Sequence, residues 1–141
     1  MKRFDAAFLV LSWVVMGFSF AFFVPMAWDW FGEGGDHVRV WGWCFLFTLA
    51  TGGWLWVRTR HAHRELTVRD GFLLVTLVWV VLPVYAALPL MYAVQGLSFT
   101  DAYFEAMSGL TATGATALAG LDLLAPSVNI WRCFLQLIGG L

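Results

Sequence analysis

Thr111, Ala112, Thr113 and Gly114 form a run without a bulky side chain, placed directly behind a short amphipathic stretch that starts at Ser98. The chemistry available to such a run is cation coordination, with main-chain carbonyls replacing the water around an ion. Backbone outside a helix is tolerated at membrane depth only where it is buried in protein or lines a water-filled path. Gly114 supplies the conformational freedom that a Cβ would hinder, positive φ included. Glu105, Ser108 and Thr116 stand where they can support the run from behind. An acid at membrane depth is expensive and often functional. Glu105 reads either as a proton or ion relay or as a hydrogen-bonding anchor behind the loop, and the anchor is the preferred reading. Asp101 reads as a helix cap. Asp122 reads as an outer-mouth acid that raises the local cation concentration. Arg132 is expected to form an ion pair at the external interface; the competing reading makes it an electropositive plug.

Other chemistries find little support. No nucleophile–base pair is apparent, acids are sparse and no histidine falls within an apolar run, so the chain does not read as an enzyme. His61 and His63 have only Glu65 nearby as a further ligand, which suits a solvated loop better than a metal site. Cys44 and Cys133 both fall in apolar stretches and read as inert core thiols rather than a disulfide or metal pair. The 141 residues are 61% hydrophobic and 12% charged, with mean hydropathy +0.78. Soluble domains carry about 25% charged residues, so the composition points to an all-α integral membrane protein. A net charge of −1 and the lack of a basic patch argue against nucleic acid as a partner.

The elements that must position the run follow in order. Residues 6–28 are uncharged and long enough to cross a bilayer, which needs ~20 helical residues. Lys2 and Arg3 precede them, as in a signal peptide. That run exceeds the ~7–15-residue core of such a peptide and lacks a cleavage site, so a retained anchor is expected. Residues 29–36 form an acidic, glycine-rich connection. Residues 40–57 form a second span, with Trp41 and Trp43 marking one interface and Trp54 and Trp56 the other. Arg58, Arg60, Arg64 and Arg69 make the following loop the most basic part of the chain, which by the positive-inside rule places it and the N-terminus in the cytoplasm. Residues 1–69 thus read as a two-span hairpin with its basic loop, and 70–141 as a pore repeat.

Within that repeat, residues 71–94 form a span bent by Pro83 and Pro89, with Ala86 and Ala87 small enough for close packing. Ser98 and Asp101 resemble a capping box. Residues 99–109 then form a pore helix about 16 Å long at ~1.5 Å per residue, with Phe99, Tyr103, Phe104, Met107 and Leu110 on an apolar side and Gly109 as terminator. Its partially negative C-terminal end faces the site where a cation would rest. Residues 111–116 return as the filter. Ser127 or Asn129 is expected to cap an inner helix over 128–141, too short to cross a bilayer, so the chain reads as a fragment. Trp13 and Trp79 are expected to fill gaps between helices.

At this point the sequence resembles the Trk/Ktr/HKT superfamily of potassium transporters, on its bacterial Trk branch. The resembling words are Arg64-Glu65-Leu66, Arg69-Asp70-Gly71-Phe72-Leu73-Leu74, Ser98-Phe99-Thr100-Asp101-Ala102-Tyr103-Phe104-Glu105-Ala106, Ser108-Gly109-Leu110-Thr111-Ala112-Thr113-Gly114-Ala115-Thr116, Gly120-Leu121-Asp122 and Trp131-Arg132-Cys133-Phe134-Leu135-Gln136. They cover roughly the second half of the chain. The resemblance implies four such repeats in one polypeptide around a central ion path, of which this chain holds the first and is inactive alone. It maps the filter carbonyls onto Thr111, Ala112, Thr113 and Gly114. Glycine rather than serine at 114 implies preference for potassium over sodium. It further implies potassium as the transported ion with no other cofactor or metal, and a location in the bacterial inner membrane. The implied partners are the lipid bilayer, the remaining repeats, a cytosolic nucleotide-binding regulatory subunit and a homodimer of the full-length protein. The alternative is a non-conducting assembly or regulatory subunit that keeps the fold without the pore.

Overall fold

In the computed structural model, which describes residues 4–32, 34–62 and 65–141, all regular structure is helical. Helix α1 (Asp5–Ser19) passes through a 3-10 turn (Phe20–Phe22) into α2 (Phe23–Gly32); then follow α3 (Val38–Thr59), α4 (Val68–Ala93), α5 (Phe99–Leu110), a second 3-10 turn (Leu121–Leu123) and α6 (Pro126–Gly140). The first turn has a local cause. Pro25 has no N–H to reach the Ala21 carbonyl, and the chain tightens there so that the Phe23 amide points at the carbonyls of Phe20 and Ala21. Three stretches are long and apolar enough to cross a membrane: Asp5–Gly32, Val38–Thr59 and Val68–Ala93. α1 lies along α3 and α4, while α5 sits between α4 and α6.

The element ends depart from expectation where side chains act on the backbone. The first apolar helix does not stop at Trp28 but runs on to Gly32. Asp29 is fully buried, and its carboxylate accepts the His37 amide at 3.0 Å while its carbonyl accepts the Gly35 amide at 3.0 Å. That acid ties the connection rather than merely solvating it. α4 begins earlier than residue 71, because Thr67 and Asp70 form a full capping box, with the Thr67 amide donating to Asp70 Oδ2 at 3.0 Å. α6 starts at Pro126 with Ala125 as its cap residue and no side-chain cap bond, so neither Ser127 nor Asn129 plays that part. Proline suits this first position, since its missing donor would be unpaired there anyway. The expected basic residues Lys2, Arg3 and Arg64, the loop acid Glu33 and the histidine His63 lie outside the described residues.

The core is centred on Trp131, which is fully buried. Its ring stacks on Phe22 at 4.8 Å between centroids and meets Trp41 at 5.8 Å and Phe18 at 6.0 Å. Its Nε1 donates to the Ala86 carbonyl at 3.1 Å. Ala86 lies three residues before Pro89; Val80 lies three before Pro83, and its carbonyl accepts the Tyr103 hydroxyl at 3.2 Å. Each proline removes the amide that would reach the carbonyl four residues back, Trp79 for Pro83 and Tyr85 for Pro89. The carbonyls that take donors from α5 and α6 are the next ones along, Val80 and Ala86. The two shorter helices thus dock on α4 carbonyls that lie close to its prolines. Trp131→Phe is expected to destabilise the protein by about 1–3 kcal/mol through loss of the buried Nε1 bond to Ala86 and of ring volume in the core. Thermal unfolding in detergent checks this; an unchanged midpoint contradicts it.

Several aromatic assignments reverse. Trp41 is fully buried instead of marking an interface, whereas Trp13 and Trp79 are 60% and 42% exposed and face outward. Cys44 is buried, but Cys133 is exposed, so only the first is a core thiol. The physical reason is common to these cases. A face turned to lipid carries no penalty for large apolar groups, so hydrophobicity does not distinguish inside from outside. Small residues do mark the interior, as expected of Ala86 and Ala87, both fully buried.

Candidate ion-binding loop

Helix α5 is capped by Ser98, whose Oγ accepts the Asp101 amide at 3.2 Å and donates to Asp101 Oδ2 at 3.0 Å. The face that α5 buries is its small and polar one: Ala102, Glu105, Ala106, Ser108, Gly109 and Leu110. Phe99 and Phe104, on the apolar side, are nearly half exposed. Close approach explains this choice. A methyl group added at Gly109 would lie 3.0 Å from Leu135 Cβ of α6, and one at Gly139 would collide with the Leu110 carbonyl. Gly109 is therefore a packing residue inside the helix, not its terminator.

Termination falls to Ala112, at φ +55°. Its amide donates to the Gly109 carbonyl at 2.9 Å, and the Thr113 amide donates to the Ser108 carbonyl at 2.9 Å. This is the Schellman pattern of closing bonds, with alanine in the left-handed position that glycine usually takes. A Cβ there costs about 1–2 kcal/mol. Ala112→Gly is accordingly expected to raise stability by about 1 kcal/mol, read as a higher unfolding midpoint; a lower one would mean that the Ala112 methyl packs on something that outweighs the strain.

Beyond this turn the chain is fastened at one end and open at the other. Ser108 Oγ donates to the Ala115 carbonyl at 2.6 Å. Glu105, only 4% exposed, accepts from Thr116 Oγ1 at 2.9 Å and from the Ala117 amide at 3.0 Å, both on Oε2. Its other oxygen, Oε1, takes Arg132 Nε at 2.6 Å, with Nη2 also within ion-pair distance. The three expected supporting residues, Glu105, Ser108 and Thr116, are thus brought together in one network. Ahead of the anchored stretch, Thr111, Ala112, Thr113 and Gly114 are all exposed, and among the described residues no donor reaches their carbonyls. The Thr111 and Thr113 hydroxyls bond to each other at 2.7 Å. Gly114 has φ +78° with nothing within 4 Å of where a Cβ would lie, so backbone angle and not space demands glycine.

Arg132 is the residue whose partner sequence reasoning misplaced. Its ion pair is with the buried Glu105, its own side chain 14% exposed, and so it braces the loop from α6. The signal available was that Arg132 is the one Lys or Arg in residues 71–141, with Glu105 among three acids there; separation by 27 positions hid their contact. Asp122 sits exposed in the 3-10 turn. Among the described residues no three metal-ligating side chains come together.

A sequence model of the TrkH family, described as a cation transport protein, matches residues 42–141. The chain is 47% identical over 95 residues to the Trk system potassium uptake protein TrkH of Halomonas elongata, and 46% identical over 98 residues to TrkH of Escherichia coli K12. These alignments take in 67% and 69% of this chain and 20% of each relative, so the matched part is about a fifth of their length. The crystal structure of the potassium transporter TrkH from Vibrio parahaemolyticus superposes with a TM-score of 0.90 at 34% identity, covering 99% of this chain and 30% of that one. The family match over 42–141 and the structural match both span the loop network, and the chain belongs to the TrkH family of cation transport proteins, membrane transporters rather than enzymes.

Proposed function

We propose that this chain supplies one strand of a potassium selectivity filter, with Thr111, Ala112, Thr113 and Gly114 offering their carbonyls to the ion. One observation carries the reading: four consecutive carbonyls have no donor among the described residues, while the next, that of Ala115, is pinned by Ser108. A loop held rigid on one side with its acceptors free on the other suits an ion that exchanges water for carbonyls. In this reading α5 is the pore helix, and its C-terminal dipole end favours a cation at the loop. Residues 1–69 form the hairpin that precedes the repeat, and the chain sits in a bacterial inner membrane with its N-terminus in the cytoplasm. Arg58 and Arg60, stacked over Trp54 and Trp56 at 5.0 and 5.9 Å, then face the side where a cytosolic nucleotide-binding regulator would dock. A homodimer of the complete protein belongs to the same reading.

A single strand cannot surround an ion that needs several carbonyls at once. The 141-residue chain alone is therefore expected to give no potassium flux in vesicles, while the complete gene product restores growth on low potassium to an uptake-deficient bacterium. Flux through the isolated chain would refute the one-strand reading. Failure of the complete, membrane-inserted product to move potassium would refute the transport reading itself.

A further inference from the structure

A groove of about 490 Å³ lies between α3 and α4, away from the ion-binding loop. Its walls are apolar: Val40, Trp43 and Phe47 from α3 face Leu88 and Tyr92 from α4. Arg39 closes one end, and among the described residues no carboxylate pairs with it. We infer that this groove holds one anionic phospholipid, its phosphate on Arg39 and an acyl chain along Val40, Phe47 and Leu88.

Four features favour lipid over protein as the occupant. Both walls belong to helices long and apolar enough to cross a membrane, which sets the groove at acyl-chain depth in a bilayer. From Arg39 to Phe47 the groove runs about 12 Å at ~1.5 Å per residue, an elongated shape suited to a chain. Charge is at one end alone, where the exposed Arg39 guanidinium can meet a phosphate in fork geometry. Trp43 and Tyr92 are 72% and 75% exposed beside it, the residue types that settle at headgroup level. A protein segment on this groove would need an acid at one end only and an apolar remainder, which a phospholipid already provides.

The test uses the complete gene product, delipidated in detergent and titrated separately with phosphatidylglycerol and phosphatidylcholine, with occupancy read by native mass spectrometry. The unaltered protein is expected to bind phosphatidylglycerol about tenfold more tightly, the size of one charge-assisted contact. Arg39→Gln should erase the preference and Arg39→Lys keep most of it, whereas Leu88→Trp should weaken both lipids by filling the groove. Unfolding midpoints identify any variant that fails to fold, and a photoreactive group at position 88 gives a readout independent of the substitutions. Equal binding of the two lipids, an Arg39→Gln protein that keeps its preference, or a photoproduct with polypeptide instead of lipid would each overturn the inference.

Discussion

Glu105→Ala in the complete gene product is expected to abolish potassium flux and to destabilise the protein by about 3–5 kcal/mol, the usual consequence of removing one partner of a buried ion pair. The effect is large because three donors on two separate segments lose their common acceptor. Arg132 on α6 is left as a largely buried, uncompensated charge, and Thr116 and the Ala117 amide lose the oxygen that holds the loop. Glu105→Gln separates these contributions. The amide oxygen can still accept from one side while its nitrogen faces a donor on the other, so part of the fold survives and flux stays low. Glu105→Ala with Arg132→Leu should recover stability, since a buried pair replaced by apolar groups is often neutral, without recovering flux. Thermal unfolding and vesicle flux measured on the same preparations distinguish the outcomes. Restored flux in the double variant would show that the carboxylate does not position the loop. Normal flux in Glu105→Ala would remove it from the mechanism altogether.

Gly114→Ser is expected to lower selectivity for potassium over sodium about tenfold, which corresponds to a difference near 1.4 kcal/mol between the two ions. At φ +78° a side chain is strained even though the space around it is open. Relief comes through rotation of the neighbouring peptides, and those peptides carry the proposed ion-facing carbonyls. Gly114→Ala separates the two possible causes: backbone strain acts equally in both variants, whereas a hydroxyl acting as an extra ligand distinguishes serine. Relative permeabilities in reconstituted vesicles give the answer. Unchanged relative permeability in both would count against a filter role for this loop.

The two expected outcomes rest on different parts of the same network. Ser108, Glu105 and Arg132 govern whether the loop holds its place, while Gly114 and Ala112 govern which way its peptides turn. Ala112 at φ +55° is the less obvious of the latter pair. Strain at a non-glycine residue persists only where its surroundings over-determine it, and here the two bonds that close the helix end do so.

By itself the sequence determined the three long apolar helices, the short helix capped at Ser98 and the turn that follows it through Thr111 and Gly114. Each of these is local, since a capping residue or a glycine at a tight bend acts within a few positions, and apolar length alone meets the requirement for crossing a bilayer. Tertiary structure decided what faces what. Trp131 as the centre of the core, Gly109 as a contact against Leu135, Trp13 and Trp79 turned outward, and Arg132 reaching Glu105 all depend on neighbours far along the chain. In water, hydrophobicity would have sorted many of those positions. Against lipid it does not, because an apolar side chain is nearly as comfortable outside as in, and only close packing and paired polar groups separate the two.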